Sequence, residues 1–259
     1  MKIHIVTIAY GLADDTKALY GAAVSERHEV QWHLFLHSQF EDVGRVCKSL
    51  ARKKNVTLYD YGTNRGVAKS WNEGILAAYE AGADVVILSN DDIMPAPGDL
   101  DKLAEAAMAQ RNKYIVKAAG YNKRSDIRGD VAMGFTAINP KAIEVIGMFD
   151  EQFFPMYYED IDWRRRGQMA GLHEGLCAET NVVHKGSTNI HTVPGLMEQN
   201  RITFAANNAY YIRKWGGEIG KERFRQPFDD IRFGLRIAPC DRGRPYWGYE
   251  RTDHDIVKF

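Results

Sequence analysis

The sequence has few cysteines, no long apolar run and no net charge, and each absence excludes a class of protein. Its three cysteines, Cys47, Cys177 and Cys240, are few, odd in number and far apart, which indicates neither a disulfide framework nor a zinc site. No apolar stretch approaches the roughly 18 residues of a membrane-spanning helix, and the N-terminal MKIHIVTIAYG is typical of a strand rather than a signal peptide. Lys plus Arg equals Asp plus Glu at 34 each, so no overall field attracts polyanions. We therefore expect a cytoplasmic protein.

Short β-rich runs alternate with helical patterns through the first half of the chain. Strands are predicted at residues 2–9, 29–37, 56–59 and 85–88, and helices between them at 12–25, 42–53 and 67–81. At 259 residues the chain suits one large domain or a domain with an appendage. The alternation predicts an α/β domain with a mostly parallel sheet flanked by helices.

The second half continues with a less regular pattern. A helix is predicted at 97–110, a strand at 114–119, a charged loop at 123–130 and a strand at 131–139 that contains Gly134. A glycine inside a strand often marks the close approach of a ligand or another backbone. A short helix at 140–146, a strand at 176–183 and a long helix at 192–215 follow, before a polar tail.

Ligands in open α/β sheets bind beyond the carboxyl ends of the strands, so the residues after each strand deserve particular scrutiny. These are residues 7–10, 37–38, 64–66 and 89–92. Asp92 follows the most apolar strand, and with a neighbouring oxygen ligand it is suited to Mg²⁺ or Mn²⁺. The alternative at this position is a simple Asx turn before Pro95.

An acidic cluster lies directly behind an aromatic run in FFPMYYEDIDWRRR, residues 153–166. If a helix begins near Glu159, then Glu159, Asp160 and Asp162 occupy its first turn, where the helix dipole favours acids. Helix capping and a catalytic role are both open on this evidence. His184 stands at the end of the 176–183 strand on a polar loop, where it either packs or returns to the site.

Three segments in this order resemble the family 2 glycosyltransferases, which have the GT-A fold. They are Asn64-x-Gly66 with Asn72 and Gly74, LSNDD at 88–92, and GMFDEQFFPMYYEDIDWRRR at 147–166. The likeness spans roughly residues 2–184, with a weaker echo at 207–217. It implies a Rossmann-like, mostly parallel sheet in a GT-A domain at 1–217, with a nucleotide-binding half at about 1–98 and an acceptor-binding half at about 99–217. Residues 218–259 would form a helical or irregular C-terminal extension.

The resemblance also implies roles for individual residues. Asp92 and His184 would bind a divalent cation, Mn²⁺ or Mg²⁺, and Asp160 would be the catalytic base. The residues expected to bind the nucleotide sugar are Thr7, Ala9, Tyr10, Asn64, Gly66, Asn72, Asn90 and Asp91. Those expected to bind the acceptor are Glu159, Asp162, Gly134, Tyr158 and Trp163, although core packing is equally open for Tyr158 and Trp163.

The activity implied is metal-dependent, inverting transfer of a hexosyl or pentosyl group from a UDP-, GDP- or dTDP-sugar to an acceptor hydroxyl. A glycan, a lipid-linked sugar, a protein and a modified nucleobase are all open as acceptors. The motif reads Asn90-Asp91-Asp92 rather than Asp-x-Asp, and His37-Ser38 stand where many relatives carry an acid, so the ligand set and donor are open.

Two alternatives remain. A nucleotidyltransferase would need a Gly-rich, basic phosphate loop after the first strand, and residues 9–12 offer none. A catalytically degenerate glycan- or nucleotide-binding module is the other.

Overall fold

The computed structural model of the protein describes residues 1–186 and 195–238. Cys240, the start of the helix predicted from residue 192 and the end of the predicted extension lie outside the described residues. Within them the chain forms a mixed α/β fold with a largely parallel central sheet flanked by helices, which confirms the predicted fold class. None of the described helices combines the length and the apolar character needed to cross a membrane. The division into two halves and an extension stays a prediction.

Four parallel strands form the first half of the sheet, in the spatial order β3-β2-β1-β4. Central strand β1 is buried along most of its length, as expected for a strand covered on both faces. The strands are β1 (Lys2–Ala9), β2 (Glu29–Leu36), β3 (Val56–Asp60) and β4 (Val85–Asn90), and the helices that connect them are α1 (Ala13–Ala22), α2 (Glu41–Leu50) and α3 (Val67–Glu80).

The second half adds strands of both directions, so the full order is β3-β2-β1-β4-β8-β6-β9-β5, with β7 paired to β6. Its strands are β5 (Ile93–Met94), β6 (Ile115–Asn122), β7 (Ile127–Asp130), β8 (Phe135–Ile138) and β9 (Glu174–His184). Its helices are α4 (Asp99–Ala109), α5 (Pro140–Val145), α6 (Glu159–Met169) and α7 (Leu196–Trp215), and 3₁₀ turns cover Ala132–Gly134 and Pro227–Asp229.

Two predictions for this half were wrong. The charged loop predicted at 123–130 contains strand β7, which pairs antiparallel with β6. All four β7 residues are exposed, so the strand shows none of the alternation by which strands are recognised. The continuous strand predicted at 131–139 begins only at Phe135. The residues before it form a 3₁₀ turn, in which Ala132 has a φ of 49°.

Apolar side chains pack on both faces of the sheet. Ile3 and Ile5 of β1 join the core beneath α4, and Val6 joins the core beneath α3. Gly74 allows α3 to approach closely, since a Cβ at that position would lie 2.4 Å from Cγ1 of Val6. The close approach fixes the position of α3 and therefore of the residues at its N-terminal end.

A buried charge network joins α6, α7 and the segment before α6. The Lys214 Nζ lies 2.7 Å from Asp150 Oδ2 and 2.5 Å from Asp162 Oδ1, and Arg166 Nε lies 2.9 Å from Asp162 Oδ2. All four side chains are buried, and two acids balance two bases. Burial by itself would raise the pKa of Asp150, but Lys214 and hydrogen bonds hold that pKa below its usual value.

Loss of one member of this network should destabilise the fold strongly. Lys214→Met would remove the cation that two buried carboxylates share, and breaking a buried pair in this way typically costs about 3–5 kcal/mol. We expect a loss of that size in the free energy of unfolding measured in urea. Lys221→Met is the control, since Lys221 pairs with Glu218 on the surface and such changes stay within about 0.5 kcal/mol. Equal losses in the two variants would contradict a structural role for the network.

Candidate active site

A cleft of about 310 Å³ opens beyond the carboxyl ends of β1 and β4. This volume lies within the range of small-molecule sites, and the position is where α/β sheets bind ligands. Nine of the residues predicted from the sequence line it: Tyr10, Asn64, Asn90, Asp91, Asp92, Gly134, Glu159, Asp160 and His184. Segments far apart in the chain therefore converge on one site.

The wall formed by the parallel half is held by backbone contacts. The Tyr10 N–H donates to Asp91 Oδ2 at 3.2 Å, which ties the loop after β1 to the loop after β4. Asn64 Oδ1 accepts from the Gly66 N–H at 2.8 Å, an Asx turn that leads into α3. Gly66 has a φ of 86°, a conformation that glycine adopts without strain.

Asp92 and His184 meet across the cleft because β5 pairs with the end of β9. The His184 Nε2 lies 3.2 Å from Asp92 Oδ1, and the Lys185 N–H donates to the Asp92 carbonyl at 3.1 Å. Gly134 leaves room for the imidazole, since a Cβ there would lie 3.3 Å from two atoms of the His184 ring.

A carboxylate oxygen and an imidazole nitrogen are chemically suited to Mn²⁺. Among residues 1–186 and 195–238, no group of three or more His, Cys, Asp or Glu side chains is arranged to hold a metal ion. A cation held by Asp92 and His184 would need its remaining ligands from a bound molecule or water, as is usual for cations on phosphate substrates.

The carboxylates of α6 reach the cleft through an unusual helix start. Tyr157 and Tyr158 have φ values of 73° and 75°, and Tyr158 precedes the helix without a side-chain cap. Non-glycine residues in this region cost on the order of 1–3 kcal/mol each and cluster at functional sites. The turn directs Glu159 and Asp160 into the cleft.

Both of these carboxyl groups are harder to ionise than usual. Burial and the nearby Asp160 charge raise the pKa of Glu159 well above its usual value. Its Oε2 is buried and has no hydrogen-bond partner among the described residues. Asp160 is half-buried, and burial raises its pKa, against the opposing effects of the Ile161 N–H and the Arg164 charge.

Four residues predicted to bind the nucleotide sugar lie outside the cleft lining. Thr7 and Ala9 are fully buried within β1. Gly66 packs beneath Phe154, where a Cβ would lie 2.9 Å from the ring. Asn72 is buried and hydrogen-bonds to both the N–H and the C=O of Phe149.

Three residues predicted to bind the acceptor are enclosed by the protein, which corrects the expectation that they contact it. Asp162 belongs to the buried charge network. Trp163 is fully buried, with its Nε1–H donating to the Gly147 carbonyl at 3.0 Å. Tyr158 is 5% exposed, and its hydroxyl donates to Asn208. Side chains enclosed in this way have almost no surface to offer an acceptor.

His37 is a cleft residue to which the sequence analysis gave no role. It is buried, its Nε2 lies 2.7 Å from Ser70 Oγ, and burial with the Arg65 charge lowers its pKa to about 4. It therefore presents a neutral imidazole at neutral pH. Its position directly after a parallel strand was the signal that could have identified it. The other lining residues without a predicted role are Ile8, Val67, Trp71, Ser89, Val131, Ala132, Met133, Pro155 and Met156, and Tyr157 of the aromatic run before the acidic cluster completes the lining.

The raised pKa of Glu159 predicts a pH-dependent stability difference. Ionising this carboxyl costs more free energy in the folded than in the unfolded state. Glu159 therefore does not reduce stability below its pKa in the unfolded state, and it reduces stability increasingly as pH rises from that pKa towards its pKa in the folded state. Glu159→Gln should therefore gain stability relative to the wild type as pH increases from about 4 towards 8. Urea unfolding without metal or nucleotide measures the difference.

The matched control for this experiment is Glu144→Gln, because the Glu144 side chain is exposed. Its stability difference from the wild type should show no comparable rise with pH. A Glu159→Gln variant that becomes progressively less stable than the wild type as pH rises would contradict the claim that ionised Glu159 destabilises the fold.

The sequence matches no protein-family model and no curated protein, but its structure resembles solved structures. One is the mannosyltransferase PcManGT from Pyrobaculum calidifontis in complex with GDP-Man and Mn²⁺, with a TM-score of 0.57, 16% identity, and coverage of 82% of this chain and 64% of that one. A second is S. aureus TarS 1–349, with a TM-score of 0.56, 11% identity, and coverage of 78% and 65%.

A third structure is GalNAc-T7 with UDP, GalNAc and Mn²⁺, with a TM-score of 0.54, 11% identity, and coverage of 71% of this chain and 44% of that one. The chain thus spans less than two thirds of the length of each of these structures. At these identities the likeness concerns the fold. The protein has a GT-A glycosyltransferase-like fold.

Proposed function

We propose that the protein is a metal-dependent, inverting glycosyltransferase that moves a sugar from a nucleoside diphosphate to an acceptor hydroxyl. The observation that carries this proposal is the convergence of Asp160 and the Asp92–His184 pair on one cleft in a GT-A-like fold. Two of the similar structures support it, since one is a complex with GDP-Man and Mn²⁺ and another contains UDP, GalNAc and Mn²⁺.

Asp92 and His184 are the residues that would hold the cation, Mn²⁺ or Mg²⁺. A bound divalent cation would neutralise the negative charge that develops on the departing diphosphate. Tyr10, Asn64 and Asn90 line the same cleft beside the metal pair and would contact the nucleotide sugar. Asp91 is held by the Tyr10 N–H, so it keeps the loop after β4 in place for this role.

Asp160 is the proposed general base. A base works best when its pKa lies near the working pH, and burial moves the pKa of Asp160 in that direction. Its carboxylate would take the proton of the acceptor hydroxyl as the oxygen attacks the anomeric carbon. Attack from the face opposite the diphosphate inverts that carbon. Unlike Tyr158, Glu159 lines the cleft, so it would contact the acceptor through the small exposed part of its side chain.

Product analysis separates this function from the two alternatives. A glycosyltransferase releases a nucleoside diphosphate from a nucleotide sugar as the acceptor is glycosylated. A nucleotidyltransferase would form or break the diphosphate linkage, and a binding module would bind the nucleotide sugar without turnover. Chromatography of the nucleotide products from a panel of UDP-, GDP- and dTDP-sugars therefore tests the proposal.

The proposed cation site at Asp92 and His184 predicts that transfer requires a divalent cation. EDTA should abolish transfer, and Mn²⁺ or Mg²⁺ should restore it. His184→Gln should raise the Mn²⁺ concentration for half-maximal transfer by at least about tenfold, since even outer partners of metal ligands contribute this much affinity. His173→Gln is the control, because His173 is exposed and lies outside the cleft. Full activity in EDTA would refute the requirement.

The assignment of the base predicts different losses for neighbouring carboxylates. Asp160→Asn keeps the size of the side chain but removes its basicity, so transfer at saturating donor and acceptor should fall by about 10²–10⁴-fold. Donor affinity measured by calorimetry should persist. Glu159→Gln should act mainly on acceptor KM and Asp162→Asn mainly on stability. Normal turnover by Asp160→Asn would place the base elsewhere.

A further inference from the structure

The backbone segment that leads to Asp160 is held near both ends by buried asparagines. We define the base loop as residues 149–158, the segment that leads into α6. It carries the two positive φ values at Tyr157 and Tyr158, and no side-chain cap supports the start of α6. A conformation of this kind persists only when surrounding contacts determine it. The contacts around the base loop therefore control the direction of Asp160.

Asn207 of α7 holds the C-terminal end of the base loop. Its Nδ2 donates to the carbonyls of Met156 and Tyr157, at 2.9 and 3.1 Å. Asn207 is 4% exposed and is absent from the cleft lining. One amide group thus fixes the two successive peptide units that enter and form the left-handed turn. The backbone of α7 is in turn anchored by Lys214 in the buried charge network.

Asn72 of α3 holds the N-terminal end. Its Nδ2 donates to the Phe149 carbonyl at 2.9 Å and to Glu151 Oε1 at 3.0 Å, and its Oδ1 accepts from the Phe149 N–H at 2.8 Å. The side chain is 3% exposed. Because α3 also contributes Val67 and Trp71 to the cleft, Asn72 connects the wall formed by the parallel half to the base loop.

We propose that Asn72 and Asn207 are positioning residues that set the direction of Asp160 towards the acceptor. The inference rests on the proposed function of Asp160 as base. Asn72 would then position the base loop and not bind the nucleotide. Asn207 would affect the rate of transfer through Asp160, without contacting the substrate. A displacement of about 1 Å at a reacting group can cost about 10²-fold in rate.

The test compares Asn207→Ala with Asn139→Ala. Asn139 is a matched control, since it is also 4% exposed and its Nδ2 also donates to two carbonyls, those of Gln110 and Lys113. It lies outside the cleft lining. Both variants should lose stability. We expect only Asn207→Ala to lower kcat, by about 10–100-fold, with donor affinity unchanged. If Asn207→Ala is unfolded at the assay temperature, Asn207→Ser and Asn139→Ser replace the pair.

Combination with Asp160→Asn distinguishes positioning from general loosening. If Asn207 acts through the base, Asn207→Ala should cause no further loss of transfer rate in the Asp160→Asn background, because the two effects are not additive. Loss by the same factor in both backgrounds would overturn the proposal. So would a kcat of Asn207→Ala equal to that of Asn139→Ala.

Asn72→Ala discriminates the two roles of Asn72. A positioning residue predicts a lower kcat with unchanged donor affinity, whereas a nucleotide ligand predicts weaker donor binding. Weakened donor binding with normal kcat at saturation would overturn the role proposed for Asn72.

Hydrogen exchange provides a readout that does not depend on turnover. The Asp162 N–H donates to the Tyr158 carbonyl at 2.9 Å and closes the first turn of α6. This amide should exchange faster in Asn207→Ala than in Asn139→Ala or the wild type. Unchanged exchange would overturn the proposal even if the wild type proved to be no transferase. Absence of transfer by the wild type would refute the proposed function alone.

Discussion

The structure around the cleft depends on a neutral group of buried charges. Lys214 reaches both Asp150, at the start of the base loop, and Asp162, within α6. Separating any one of these charges from its partners would leave an uncompensated charge in the core, which costs far more than the pairs contribute. The network therefore tolerates very few arrangements of α6 and α7. The network therefore also fixes the two ends of the base loop, because Asp150 lies at its start and α6 follows directly after it.

The carboxylates of the acidic cluster have different surroundings because they lie on different faces of α6. Asp162 points inward to Arg166, one turn further along, while Glu159 and Asp160 face the cleft. The inward carboxylate is stabilised by buried cations, whereas the outward pair has raised pKa values because it is buried with less compensation. A short segment thus holds both the charge that stabilises the helix and the charges suited to proton transfer. Functional sites typically lower the stability of the fold locally in this way.

The alternation of apolar strands and amphipathic helices was enough to predict the parallel half and the edge at which the cleft opens, because β1, β2 and β4 are largely buried and therefore have mostly apolar sequences. Strand β7 could not be predicted, since its exposed residues lack any pattern. The cleft positions of Asp92, Asp160 and His184 followed from the resemblance. The burial of Trp163 and the double hydrogen bond of Asn207 were not predictable, because they depend on which elements pack together and not on local spacing.

The central claim is that this cleft binds a nucleotide sugar through a cation at Asp92 and His184. A thermal-shift screen of nucleotide sugars with and without Mn²⁺ tests it most directly. A ligand that binds only the folded state adds about 2.7 kcal/mol of stability at a hundredfold excess over its Kd. The account predicts that at least one UDP-, GDP- or dTDP-sugar raises the Tm with Mn²⁺ and much less without it. No shift with any of them, or equal shifts in EDTA, would contradict the account.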